Sequence, residues 1–111
     1  MDKISIDDFA KIEIKVGKIL EASNIEESNK LLLLKVSFGG EDTRQVLSGI
    51  AKYYKPEDII DKKFVFITNL EPRPMLQYES QAMIMAAHNE DKTIVSALIP
   101  DQDLPEGSIV S

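Results

Sequence analysis

The sequence has no cysteine and only one histidine, His88. The absence of cysteine excludes a disulfide framework and thiolate chemistry. A structural zinc site needs about four Cys- or His-type ligands, and a Ser-His-Asp arrangement would depend on His88 alone. No pair of carboxylates has a spacing typical of acid–base catalysis. The sequence therefore predicts no catalytic residue, no metal site and no cofactor.

Long hydrophobic runs are also absent. Uninterrupted apolar runs such as Leu31–Leu34 and Ala82–Ala87 are far short of the ~18 apolar residues that indicate a membrane span. No basic-then-apolar leader opens the sequence. We therefore expect no membrane association and a location in the reducing cytoplasm. With 111 residues, 43% hydrophobic and 29% charged, the composition predicts a single globular domain over residues 1–111.

Positive charge is scarce in the second half of the sequence. The formal net charge is −6. Residues 1–55 contain nine basic and nine acidic groups, whereas residues 56–111 contain four basic and ten acidic ones. This balance alone argues against a nucleic-acid partner, because proteins that bind nucleic acids are usually basic over the binding face. Most of the basic residues lie in the first half.

The first half of the sequence predicts strands. Ile12, Ile14 and Val16 alternate with polar residues, which indicates a strand that Leu20 and Ala22 extend. Gly17 within it predicts a bulge or a sharp bend. A polar loop is predicted at residues 23–30, followed by strands at residues 31–38 and 44–47. Before these strands, Asp7 is the candidate N-cap of a short helical turn that ends near Ala10.

The second half adds one helical segment and more strands. Pro56 followed by Glu57 and Asp58 marks a helix start. Strands are predicted at residues 63–69, 80–87 and 93–98, loops at 71–74 and 100–107, and a short final segment at 108–110. The pattern predicts an all-β small barrel. The helix between strands 3 and 4 matches a five-stranded Greek-key barrel of the OB type, with extra strands at the C-terminal end.

Three stretches, residues 8–19, 47–54 and 69–83, carry a resemblance to a known family. They include Ile14-Lys15-Val16-Gly17-Lys18, Leu47-Ser48-Gly49-Ile50-Ala51-Lys52 and Asn69-Leu70-Glu71-Pro72-Arg73. In this order and spacing they closely resemble the tRNA-binding domain family. That family includes the C-terminal domain or beta subunit of methionyl-tRNA synthetase and the CsaA-like proteins. The synthetase type is the closest, because Pro56-Glu57 follows the stretch at 48–52.

The resemblance implies an OB-fold that grips tRNA by shape, often as a homodimer. The family pattern places RNA contacts at five positions, which here are Lys30, Asn69, Arg73, Ser80 and Met83. Four basic residues could supply a positively charged rim around the site: Lys30, Lys35, Arg44 and Lys52. A module of this kind performs no chemistry and holds tRNA near a synthetase catalytic subunit.

The sequence departs from the family pattern beside the implied site. Glu71 stands where the family usually has Lys, and Pro74 where it often has Lys or Arg. Gln77 and Ala82 stand where the family has Gly. If φ at residue 82 were positive, the methyl group of Ala82 would hinder a close backbone approach.

Each candidate residue also has a structural interpretation. Ser80 and Asn69 could satisfy backbone groups at strand ends rather than contact RNA. The side chains of Met75, Met83 and Met85 could contact an unstacked base or fill the core. Tyr53 and Tyr54 could stack on bases, or could pack the neighbouring helical segment onto the barrel.

Two functional hypotheses follow. The first is a non-catalytic tRNA-binding module. The second is a CsaA-like chaperone or protein-docking module with weak or no RNA binding, which the net charge of −6 and the presence of Glu71 and Pro74 favour. Binding to RNA should weaken steeply with salt, whereas binding through an apolar groove should not.

Overall fold

The computed structural model describes residues 1–111 and consists mainly of short antiparallel strands. Two four-residue helices are present, and neither is long and apolar enough to cross a membrane. The elements in chain order are α1 (Ile6–Phe9), β1 (Ile14–Ile25), β2 (Ser28–Ser37), β3 (Thr43–Ser48), α2 (Pro56–Ile59), β4 (Lys63–Ile67), β5 (Arg73–Met75), β6 (Tyr78–Ser80), β7 (Met83–Ile84), β8 (Ala86–His88), β9 (Val95–Ala97) and β10 (Ile109–Val110).

Five strands form the barrel wall in the order β3-β2-β1-β4-β7, all antiparallel. The helix α2 connects β3 to β4, and the C-terminal part adds the β8–β9 hairpin and β10, which pairs with β1. This confirms the all-β, OB-type barrel with a helical segment between the third and fourth wall strands.

The long strand β1 pairs with two neighbouring wall strands. Its first part, from Ile14 to Lys18, pairs with β4, and its second part, from Lys18 onward, pairs with β2. The register breaks between Ile19 and Glu21. The predicted bulge at Gly17 is therefore wrong, because Gly17 pairs regularly with Phe64. Gly17 instead lets the side chains of Phe38, Val36 and Phe66 pack directly against the backbone of β1.

Two predictions near the N-terminus are also wrong. The polar segment at residues 23–30 is a hairpin rather than a loop, since β1 runs to Ile25 and β2 begins at Ser28. Polar side chains can line a hairpin because the ladder bonds join backbone groups. The N-cap of α1 is Ser5 rather than Asp7, because the Ser5 hydroxyl accepts a hydrogen bond from the Asp8 amide at 3.1 Å.

The predicted strand at residues 80–87 is divided among β6, β7 and β8. The predicted loop at 71–74 in part forms β5, which pairs with β6 as a separate two-stranded sheet. Pro74 is tolerated in β5 because a two-stranded sheet leaves one edge of each strand unpaired. At the tip of this hairpin, Leu76 has a φ of 55°.

The core lies inside the barrel. Twelve buried residues form one cluster, and the rings of Phe38 and Phe66 meet edge to face with centroids 5.4 Å apart. The cluster comprises Ile19, Leu32, Leu34, Val36, Phe38, Val46, Ile50, Ile59, Phe64, Phe66, Ala82 and Ala97.

Side-chain hydrogen bonds and one backbone bond close the barrel between β3 and residues 79–82. The Ser80 hydroxyl accepts from the Leu47 amide at 3.0 Å and donates to the Ala82 carbonyl at 2.9 Å. The Gln81 amide donates to the Gln45 carbonyl at 2.9 Å, and the Gln45 amide donates to Gln81 Oε1 at 2.8 Å. These bonds replace the continuous backbone ladder that joins the other wall strands.

Arg44 strengthens the same closure. Its guanidinium makes a two-point contact with Asp42, at 2.9 and 3.1 Å, and donates to the Thr68 carbonyl at 2.6 Å. It also lies 5.2 Å from the ring centroid of Phe38. Arg44 is therefore a structural residue that joins β3 to the end of β4, rather than part of a free basic rim.

We predict that Gly17→Ala lowers stability. An added Cβ would lie 2.7 Å from both Phe38 and Val36 and 2.9 Å from Phe66. Overpacking of this kind costs about 1–3 kcal/mol. Urea unfolding measures the loss. Gly49→Ala is the matched control, because its added Cβ would meet no atom within 4 Å. Equal stability of the two variants would contradict the close-approach role of Gly17.

We also predict that Ser80→Ala lowers the free energy of unfolding by about 1–3 kcal/mol, because it leaves a buried Leu47 amide without an acceptor. The exposed Ser23 in β1 provides the control Ser23→Ala, which should be nearly neutral. Thermal and urea unfolding check both variants. A Ser80→Ala protein as stable as the wild type would show that the hydroxyl does not maintain closure.

Candidate nucleic-acid interface

A groove of about 480 Å³ lies where the end of β3 meets the β5–β6 hairpin, β7 and β8. The closing bonds of Ser80 bring these elements together. Sixteen residues line the groove, ten of them hydrophobic. They are Leu47, Ser48, Gly49, Ile50, Tyr53, Arg73, Met75, Ser80, Ala82, Met83, Ile84, Met85, Ala86, His88, Lys92 and Val95.

The groove contains no carboxylate although the chain carries a net charge of −6. The charged residues of its lining are Arg73 and Lys92, and the only other basic side chain is that of His88. A second cavity, of about 640 Å³, lies beside α2 and shares no residue with the groove. Four aspartates and two lysines line that cavity: Asp58, Asp61, Lys62, Lys63, Asp101 and Asp103. The lining of the groove is therefore net positive, whereas the lining of this cavity is net negative.

Three of the residues predicted from the sequence line the groove: Arg73, Met83 and Ser80. Arg73 lies in β5 between Pro72 and Pro74, is exposed, and forms no ion pair. Met83 lies in β7 with 39% of its surface exposed. A guanidinium and an accessible thioether in the same groove offer an anion contact and an adaptable apolar surface.

Ser80 and Asn69 have structural roles. Ser80 is buried, and its hydroxyl is occupied by the barrel closure. The amide side chain of Asn69 accepts from the Glu13 backbone at 2.8 Å and donates to the Lys11 carbonyl at 2.7 Å. Both side chains thus satisfy backbone groups, as the structural interpretation predicts. Ser80 still lines the groove, whereas Asn69 does not.

Lys30 and Lys52 lie outside the groove lining but adjoin one end of it. The Lys30 carbonyl accepts from the Ala51 amide at 3.1 Å, which places Lys30 against the turn that carries Lys52 and Tyr53. Neither lysine forms an ion pair. Both are therefore available as further anion contacts.

Two tyrosines fasten this turn to the β8–β9 hairpin. The Tyr53 hydroxyl donates to the Lys92 carbonyl at 2.8 Å, and the Tyr54 hydroxyl accepts from the Ala97 amide at 3.0 Å. Tyr54 also packs against the core cluster, which agrees with the structural interpretation, whereas Tyr53 is 38% exposed. Tyr53 exposes part of its ring to the groove wall.

The turn that carries Lys92 is held by Asp91 and Thr93. The Thr93 hydroxyl and amide donate to Asp91 Oδ1 at 2.8 and 3.2 Å. These bonds, the hydroxyl first, lower the pKa of Asp91. Similarly, the Thr68 hydroxyl, 2.6 Å from Glu13 Oε1, is the main cause of a lowered pKa at Glu13. Both carboxylates thus organise a turn or a strand end through these hydrogen bonds.

The residues that depart from the family pattern do not alter the groove in the way expected from the sequence. The φ of Ala82 is not positive, and its methyl group belongs to the core cluster. The positive φ lies at Leu76 rather than Gln77. For a bulky residue this left-handed conformation is strained. None of Glu71, Pro74 and Gln77 lines the groove.

Sequence reasoning missed two groove residues, Ser48 and Lys92. Ser48 is 3% exposed, and its hydroxyl makes no hydrogen bond. Its position at the end of β3 gave no signal, because the missing partner becomes visible only when β3 is placed against its neighbours. In the sequence Lys92 is an ordinary turn residue. Its place beside the groove depends on the hydrogen bond from the Tyr53 hydroxyl to the Lys92 carbonyl. The structure contains no group of three or more His, Cys, Asp or Glu side chains able to hold a metal ion.

Comparison with curated proteins gives relatives over nearly the whole chain. The methionine–tRNA ligase of Caldanaerobacter subterraneus subsp. tengcongensis is 44% identical over 111 residues, which is 100% of this chain and 17% of the ligase. That of Clostridium acetobutylicum is 48% identical over 108 residues, 97% of this chain and 17% of the ligase. The chain therefore spans only about one-sixth of the length of these relatives.

Solved structures agree with the fold. The MetRS-related protein from Pyrococcus horikoshii superposes with a TM-score of 0.93 at 35% identity, covering 100% of both chains. The CsaA chaperone protein from Picrophilus torridus gives 0.87 at 30% identity, covering 98% of this chain and 100% of the other. The chaperone CsaA from Bacillus anthracis gives 0.89 at 24% identity, covering 99% and 100%, and at that identity it supports the fold alone.

The family model for a tRNA binding domain matches residues 14–109, which includes every wall strand and the groove. The resemblance seen in the three sequence stretches is thereby confirmed. By sequence and by fold, the chain belongs to the tRNA-binding domain family.

Proposed function

We propose that residues 1–111 form a single, non-catalytic binding domain that holds tRNA in the groove between β3 and β7. The observation that carries this proposal is the separation of charge. The groove has Arg73 and Lys92 and no carboxylate, although the chain as a whole carries a charge of −6. A local positive site of this kind attracts phosphate independently of net charge. Lys30 and Lys52 would extend the contact, whereas Asn69 and Ser80 would support it from within the fold.

The domain would act together with methionyl-tRNA synthetase, as part of a longer chain or as a separate subunit beside the catalytic subunit, in the cytoplasm. The full-length similarity to a segment of methionine–tRNA ligases supports this context. A second attachment point raises the local concentration of tRNA near the catalytic site without adding any chemistry.

A second candidate function is protein docking of the CsaA type. The observation that favours it is the apolar character of the groove, in which ten of sixteen lining residues are hydrophobic. The resemblance in fold to two CsaA structures agrees with it. Salt separates the two functions, because only contacts to phosphate release counterions.

We expect Arg73→Glu to weaken tRNA binding by about 1–3 kcal/mol, the range for a charge-assisted contact, with thermal stability nearly unchanged. Fluorescence anisotropy with unfractionated tRNA at two salt concentrations measures the change, and wild-type affinity should fall as salt rises.

The matched control is Lys62→Glu, which makes the same charge change at an exposed, unpaired lysine in the acidic cavity. It should have a much smaller effect. Equal losses in the two variants would mean that only net charge matters, and an unchanged Arg73→Glu would remove Arg73 from the site. Binding of wild-type protein that does not depend on salt would favour protein docking.

We also propose that the chain pairs as a homodimer through an apolar patch formed by Ile4, Ile6, Phe9, Ile12 and Ile109. Each of these side chains is at least 38% exposed. The N-terminal and C-terminal parts of the patch are neighbours, because β10 pairs with β1 at Ile14 and Lys15. Exposed apolar patches of this kind are typical of interfaces.

We expect the wild-type protein to have a solution mass near twice 12.4 kDa and Ile109→Asp to have a mass near 12.4 kDa. Light scattering after size exclusion measures both. Ile94→Asp, in the turn of the β8–β9 hairpin and similarly exposed, is the control that should leave the mass unchanged. A monomeric wild-type protein at high concentration would disprove the pairing.

A further inference from the structure

The unpartnered hydroxyl of Ser48 is the starting point. Ser48 is the last residue of β3, lines the groove and is 3% exposed. Its hydroxyl has no hydrogen-bond partner. Buried hydroxyl groups almost always have one, so each exception calls for an explanation. A ligand in the groove could supply the missing donor or acceptor.

The groove wall beside Ser48 is rich in methionine. Three of the four methionines of the chain, Met75, Met83 and Met85, line it, each from a different part of the β5-to-β8 region. Thioether side chains are polarisable, adapt to the shape of a ligand and make favourable contacts with aromatic rings. A volume of about 480 Å³ lies within the range of about 300–1,000 Å³ that is usual for sites of small, flat ligands.

The charged groups fit an anionic ligand with a flat apolar part. Arg73 and Lys92 are positive, and no carboxylate lines the groove to repel phosphate. Apolar walls, one hydrogen-bonding group and nearby cations match the three parts of a nucleotide: the face of the base, the edge of the base and the phosphate.

We propose that the groove receives one unstacked nucleotide of the tRNA. The base lies against the methionines, and its phosphate lies near Arg73 or Lys92. The Ser48 hydroxyl oxygen is buried in the free protein, so its bond to the base edge forms when rotation of the side chain turns that oxygen toward the groove. This inference rests on the proposed tRNA-binding function and adds a base contact to recognition that would otherwise depend on the shape of the backbone. Contact with a base edge would also give the domain some preference among nucleotides.

The experiment uses the protein labelled with ¹³C at its methionine methyl groups. Unfractionated tRNA is the ligand, and inorganic polyphosphate is a control ligand that has phosphates but no bases. With tRNA, the methyl signals of Met75, Met83 and Met85 should move upfield, because an aromatic base shields protons above its face. The signal of Met1, which lies outside the groove, should not move. Polyphosphate should produce no upfield shift.

The outcomes separate this inference from the proposed function. If anisotropy shows tRNA binding but the three groove methyl signals do not move, or if polyphosphate moves them equally, the base contact is disproved and the tRNA-binding function stands. If tRNA does not bind at low salt, the proposed function itself fails. An apolar peptide that displaces tRNA and perturbs the three groove methyl signals would assign the groove to protein docking.

Ser48→Ala tests the hydrogen bond. We expect tRNA affinity to fall about three- to tenfold, the range for one neutral hydrogen bond, with no loss of thermal stability, since the hydroxyl has no partner in the folded protein. Ser23→Ala, at an exposed serine outside the groove, should leave the affinity unchanged. An affinity of Ser48→Ala equal to the wild type would remove the Ser48 contact from the proposal.

Discussion

The groove exists because the barrel closes mainly through side-chain hydrogen bonds rather than through a continuous ladder. Strand β3 and residues 79–82 are joined by Ser80, Gln45 and Gln81, and Arg44 ties the same region to the end of β4. A regular strand pair at this seam would bring the backbones close along their whole length and leave less room between them. The seam instead opens beyond Ser80, and the β5–β6 hairpin carries Arg73 to the edge of the opening. The same hydrogen bonds thus close the barrel and shape the groove, so substitutions at Ser80 can affect both the stability of the barrel and binding in the groove.

Net charge is a poor guide to the partner of this protein. Four of the ten acidic residues in the second half, all of them aspartates, line the cavity beside α2, while the groove lining contains none. Electrostatic attraction depends on the local arrangement of charge, because salt screens interactions beyond about 8–10 Å at physiological ionic strength. The argument from charge against RNA holds for the chain as a whole and fails at the groove.

Patterns within single elements could be predicted from the sequence, and contacts between elements could not. The alternation of Ile14 and Val16 predicts β1 because one face of that strand is buried. The role of Gly17 depends on Phe38, Val36 and Phe66, which arrive from other strands, so local reasoning offers a bulge instead. The same limit applies to the site. A family pattern can point to Arg73 and Met83, but the unpartnered hydroxyl of Ser48 becomes visible only when the neighbouring strands are in place.

The departures from the family pattern change which interactions would dominate binding. Glu71 and Pro74 remove cations near the site, yet neither lies in the groove, and Ala82 joins the core instead of obstructing a backbone approach. Two cations remain in the lining, and each phosphate contact contributes about −0.7 to −0.9 to the logarithmic salt slope. Phosphate contacts in the groove alone would then give only a shallow slope. Beyond what Lys30 and Lys52 would add outside the lining, further affinity for tRNA would come from apolar contact with bases, and the methionines of the groove are the side chains best placed to provide it.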